Sequence, residues 1–210
     1  MVGSPPAGRD VALDRGFLIA KGTTLPQGRG YVDALAPTFT VGVAYGVTDR
    51  LTTQAGTTLW TIADAPSLYG TARYGVIKSK SVNVALGALG VVIFDENETS
   101  AGGWPYVTTT VEAGRVSVTG LVGVGSSTEV FESSFTGQLL LQGGLEVFLS
   151  SALEVVVEGL YLGEGTDPVA AIGMRGFAGP FALEAGLVHA FEVDAPDSAA
   201  LPWAGVSLRF

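Results

Sequence analysis

The chain has 210 residues, enough for one domain without demanding two. Charged residues make up 15% and apolar residues 47%, a charge content below the roughly 25% of soluble domains. The formal net charge of −9 leaves no basic footprint for nucleic acid, and with no cysteine and one histidine neither a disulfide framework nor a usual zinc or redox-metal cofactor site is expected.

Thirty glycines argue against helices, since each weakens a helix by about 1 kcal/mol relative to Ala. They suit a β protein with tight turns and close backbone approach. No apolar run reaches the roughly 20 residues of a transmembrane helix. The start, Met1-Val2-Gly3-Ser4-Pro5-Pro6, lacks the charged and apolar regions of a secretory signal. An exported barrel precursor would need one, so either Met1 replaces a signal or the chain is not exported.

In chain order, residues 1–14 read as an N-terminal periplasmic tail and 15–210 as one domain. Period-two alternation recurs in segments of about ten residues, the length a tilted membrane strand requires. A weak candidate lies at 15–23. Clearer strands follow at 30–46, 51–61, 68–77, 82–94, 104–114, 115–125, 135–148, 152–162, 167–177 and 180–191, and the clearest at 204–210. In that last segment Ala204, Val206, Leu208 and Phe210 share one face, and Gly205, Ser207 and Arg209 the other. Counting 15–23 gives an even twelve, with both termini on the side of the short turns.

Short turns fall at Val47–Arg50, Lys78–Ser81, Ala113-Gly114, Ser150-Ser151 and Ala178–Pro180. Longer loops fall between them at 62–67, 95–103, 126–134, 163–166 and 192–200. Such alternation predicts an all-β fold: a closed, antiparallel, up-and-down transmembrane β-barrel of about twelve strands in the bacterial outer membrane.

The faces support this. Val82, Val84, Leu86, Val92, Phe94, Val116, Val118, Val122, Val124, Leu139, Leu141, Leu145, Val147, Leu153, Val155, Val157, Leu183 and Leu187 form an apolar face expected to meet lipid. Tyr45, Tyr74, Phe181 and Phe210 lie on it near short turns, and Phe94, Phe135, Tyr161 and Phe191 near long loops. Two such aromatic girdles mark membrane interfaces. The opposite face carries Arg73, Glu112, Arg115, Glu146, Glu154, Glu158, Arg175, Glu184 and Arg209. These are the expected pore-lining residues, and two outcomes stay open for them. Paired across a narrow lumen they would plug it, because buried charges need partners. Held apart as acidic and basic walls they would form a constriction for small polar solutes or ions.

The ending Val206-Ser207-Leu208-Arg209-Phe210 resembles the C-terminal signature of bacterial outer-membrane proteins. That resemblance implies recognition by the barrel-assembly machinery through Phe210. Leu25–Tyr31 followed by Val43–Leu51, with its Tyr45-Gly46-Val47-Thr48-Asp49 turn, is similar to a group of uncharacterised barrel proteins, which implies fold and location but no functional residue.

No enzymatic constellation emerges. His189, the one histidine, has no serine two residues away in Gly186-Leu187-Val188-His189, and Ala170 with Pro202 or Ala204 stands at similar height on the neighbouring strands. It reads as an interfacial residue beside Phe191. Gly123–Ser127 lacks the glycine after serine that a nucleophile elbow needs. Gly163–Asp167 is glycine-rich but acidic, the wrong sign for phosphate. The long loops carry Asp95, Glu96, Glu98, Glu129, Glu132, Glu164, Asp167, Glu192, Asp194 and Asp197 without Lys or Arg. They read as solvated loops, as divalent-cation bridges to lipopolysaccharide, or as a cation-enriching pore mouth.

Overall fold

A computed structural model describes residues 20–36, 40–58, 66–94, 99–129, 138–161, 168–191 and 200–210. Twelve strands run in chain order: β1 Gly30–Ala36, β2 Thr40–Thr48, β3 Leu51–Thr58, β4 Ser67–Lys78, β5 Val82–Phe94, β6 Thr99–Ala113, β7 Val116–Glu129, β8 Gln138–Phe148, β9 Leu153–Tyr161, β10 Val169–Ala178, β11 Phe181–Ala190 and β12 Leu201–Arg209. Each pairs antiparallel with its sequence neighbours, and β1 pairs with β12, so the sheet closes on itself and leaves no edge.

The count is the expected twelve, but its composition differs. The stretch 30–46 is two strands, parted at 37–39. Residues 20–23 of the weak candidate form none of the twelve, and 15–19, like the tail 1–14, lie outside the described residues.

Turn chemistry sets the register. Gly114 and Gly179 adopt φ of 63° and 59° in the β6–β7 and β10–β11 turns, where an L side chain would be strained. In the β2–β3 turn, Thr48 Oγ1 accepts from the amides of Arg50 and Leu51.

The barrel is apolar outside and polar inside. Leu183, Val124, Met174, Ile172 and Leu86 are each at least half exposed, and the alternate positions are buried. An apolar wall running round the barrel exceeds the few hundred Å² that soluble monomers expose, and it fits lipid. Tyr45, Tyr74, Phe181 and Phe210 ring the short-turn end, and Phe94 and Phe191 point outward at the other. Tyr161, half exposed, completes the upper ring. Phe135 lies outside the described residues. Past a bulge in β4, Ile77 takes the outer face and Lys78 stands opposite the inward-facing Asn83; its ammonium reaches the Asp49 carbonyl at the rim.

Inside, aromatic rings lie flat on glycines of neighbouring strands. Tyr106 covers Gly87, and Trp104 covers Gly125 so closely that a Cβ at either glycine would enter the ring. These rings replace water in the lumen with packed surface.

Candidate functional site: the short-turn half of the lumen

Among the buried charges, Glu146, Glu154, Glu158, Arg175 and Glu184 gather on four adjacent strands, β8–β11. A two-residue turn at Gly179-Pro180 places Arg175 opposite Glu184, and the β9–β10 register places Arg175 opposite Glu154. Arg175 therefore stands between two carboxylates. Its Nε donates to Glu184 Oε1 at 2.9 Å and its Nη1 to Glu154 Oε1 at 2.7 Å. Arg175 is 1% exposed and Glu154 0%. An open, water-filled lumen would wet these groups; here both are buried.

The second feature was not legible in the strand pattern. Residues 20–25 cross the inside of the barrel as a strap. At the rim, the Gln27 amide donates to Asp49 Oδ1 and the Gly28 amide to the Gly46 carbonyl. The strap then passes β3, where the Leu25 amide donates to Thr52 Oγ1 at 2.8 Å. Beside β4, Thr24 donates its hydroxyl to the Asp49 carbonyl. At β6, the Gly22 amide donates to Thr110 Oγ1 at 2.9 Å, and Thr108 Oγ1 donates to the Ala20 carbonyl at 2.8 Å. Lys21 reaches across to β8 and pairs with Glu146 Oε2, both side chains being buried. Ala20 packs on the interior cluster of Tyr106, Leu121 and Leu140.

Each expected pore-lining residue can now be placed. Arg73, Glu146, Glu154, Glu158, Arg175 and Glu184 are buried inside the barrel. Glu112 and Arg209 are half-buried on the inner face near the short turns. Arg115 is not on the inner wall: it occupies the β6–β7 turn, exposed, with Nη1 toward the Leu149 carbonyl. Lys21 and Asp33 were not among those expected. The hint for Lys21 was Phe17-Leu18-Ile19-Ala20, a continuous apolar run that breaks the alternation of a membrane strand.

Among the described residues the buried set holds five carboxylates (Asp33, Glu146, Glu154, Glu158, Glu184) against three cations (Lys21, Arg73, Arg175). Glu146 Oε1 and Glu154 Oε2 have no hydrogen-bond partner among the described residues. The site is therefore acidic on balance, with its positive charge centred between carboxylates.

His189 lies on the outer face, opposite Ala170, with its ring edge-on to Phe191 at 4.6 Å. Nearby, Gly143, Gly159 and Ala170 floor a shallow outward groove of about 340 Å³ walled by Leu141, Tyr161 and Phe191. Of the acidic loop residues, Glu129 ends β7 and the others lie outside the described residues.

This architecture defines a transmembrane β-barrel of the bacterial outer membrane. No family model and no curated protein matches the chain. Among solved structures it is similar to the KdgM porin, solved in complex with disordered oligogalacturonate. That match has 9% identity, covers 87% of this chain and 98% of the porin, and has a TM-score of 0.62. It is also similar to the NanC porin, at 10% identity over 86% of this chain and 98% of that one, with a TM-score of 0.55. The likeness is one of fold: this chain has a porin-like barrel.

Proposed function

We propose that this protein is a porin-type outer-membrane barrel that is shut at rest. The lumen is closed at its short-turn half by the strap and the ion-pair cluster. The observation that carries this reading is the burial of Arg175, Glu154 and Lys21, three charged side chains that an open water path would have to pass. Of the two outcomes open for the lumen charges, the geometry favours pairing across a plugged interior.

The solute class follows from charge. Oligogalacturonate, found with the KdgM porin, is a polyanion. Five buried carboxylates against three cations would repel it. Any conducting state of this barrel is therefore suited to small neutral or cationic polar solutes. Purified protein in planar bilayers tests the resting state. Wild type should show no steady conductance, and a persistent open level from most inserted molecules would overturn the proposal.

A further inference from the structure

We infer that residues 20–25 are a displaceable plug, and that lifting them opens a cation-selective path along the inner wall of β5–β7. The inference rests on the closed-lumen reading above.

The wall does not need the strap. β1 pairs with β12 over Tyr31–Ala36 and with β2 over Gly30–Leu35, so the barrel closes without any residue before Gly30. The strap, by contrast, adds no strand to the wall: it is held by hydrogen bonds to the wall hydroxyls of Thr52, Thr108 and Thr110 and to the Asp49 carbonyl, by the Lys21 contact with Glu146, and by the packing of Ala20 and Leu25. Water can satisfy each of those hydroxyls in its place. Beneath and beside the strap the wall is neutral and polar: Asn83, Thr108, Thr110, Ser117 and Thr119 are all buried. Side chains of this kind suit a wetted passage better than a permanent core.

The fit is close at Gly22. A Cβ there would enter the Asn83 carbonyl oxygen and lie 2.8 Å from the Thr110 nitrogen, both backbone atoms that cannot rotate aside. A side chain at position 22 should therefore unseat the strap without altering the wall.

Charge sets the selectivity of the opened path. Withdrawing Lys21 leaves five buried carboxylates against Arg73 and Arg175. The lumen becomes more acidic as it opens, so cations should be favoured.

Four proteins in planar bilayers test this. Wild type should be silent. Gly22→Val and Lys21→Glu should each open the pore. Reversal potentials across a salt gradient should show several-fold cation preference, weakening at 1 M salt as the Debye length falls to about 3 Å. Lys21→Glu with Glu146→Lys should close it again, and β-sheet circular dichroism of the same protein in vesicles separates closure from loss of folding. A fifth protein uses the absence of cysteine. A Cβ at Gly75 would lie 3.5 Å from Thr24 Oγ1, near disulfide range. Thr24→Cys with Gly75→Cys should hold Lys21→Glu shut until reduced. Silence of both single variants, each shown to be folded, would overturn the plug while leaving the closed-lumen reading intact. Steady wild-type conductance would overturn that reading itself. Anion preference in the opened variants would refute the charge argument.

Discussion

Ile172→Arg should destabilise the barrel by about 2–4 kcal/mol, whereas Leu183→Arg should cost about 0–1 kcal/mol, because the penalty for a cation on the lipid face depends on depth. The depths are readable on β11. Phe181 and Phe191 flank it at the two interfaces, ten residues apart. At about 3.3 Å per residue and a tilt near 40°, that span rises about 25 Å, the height of the apolar band. Leu187 lies near its centre, and Ile172 is opposite Leu187. Ile172 is 53% exposed on the outer wall, so an arginine there meets the hydrocarbon midplane. Leu183 is even more open at 60%, yet stands two residues from Phe181, where an arginine can snorkel to headgroups. Exposure and depth therefore predict opposite rankings. Reversible guanidinium unfolding in phospholipid vesicles reads the difference as a shift in midpoint. An equal shift for the two variants, or a larger one for Leu183→Arg, would refute the assignment of depth. Leu141 makes a poorer midplane probe than its sequence position implies, since it is level with Tyr161 at the upper girdle.

Three further outcomes follow from particular contacts. Arg175→Met leaves Glu154 and Glu184 buried without their shared cation and should cost about 3–5 kcal/mol; replacing all three residues with apolar ones of similar volume should restore most of that, and vesicle unfolding of both variants checks it. Gly125→Val drives a side chain into the Trp104 ring and should cost at least about 1–3 kcal/mol as overpacking, measurable in the same assay and absent at Gly120, where a Cβ meets nothing. Deleting Phe210 should lower outer-membrane insertion in cells through loss of the C-terminal signature, and should also weaken refolding in detergent, because its backbone exchanges two hydrogen bonds with Gly30 across the seam; normal insertion would count against recognition of Phe210 by the assembly machinery.

Most of the wall was legible because a strand's side chains alternate strictly, and lipid and lumen select opposite chemistries. Arg175 with Glu184 was implicit in the sequence as well. Arg175 lies four residues before Gly179 and Glu184 four after Pro180, so a two-residue turn must set them opposite each other. Arg115 was misplaced for a related reason: the turn is Gly114-Arg115 rather than Ala113-Gly114, and a one-residue slip takes a side chain off the inner wall. The split of 30–46 was hidden because the connection is only three residues long and the apolar pattern runs almost through it. The Lys21–Glu146 pair could not be read at all. Its partners are 125 residues apart, and no local rule says which inner wall a strap will face.

The strap and the seam of the barrel are mechanically linked, which bears on when the plug is seated. Gly30 begins β1 and exchanges hydrogen bonds with Phe210, the last residue. Immediately before it, Pro26 accepts from the Arg29 amide, and Gly28 and Arg29 bond Gly46 of β2. The strap therefore enters the lumen from the corner where the first and last strands meet. Its cation finds Glu146 on β8, on the far side of that seam in the strand order. Until the sheet has closed, Lys21 has no enclosed carboxylate to offset the cost of its burial. Seating of the plug and closure of the barrel thus favour one another, while the wall's own ladder, complete without residues 20–25, is what allows the plug to leave again.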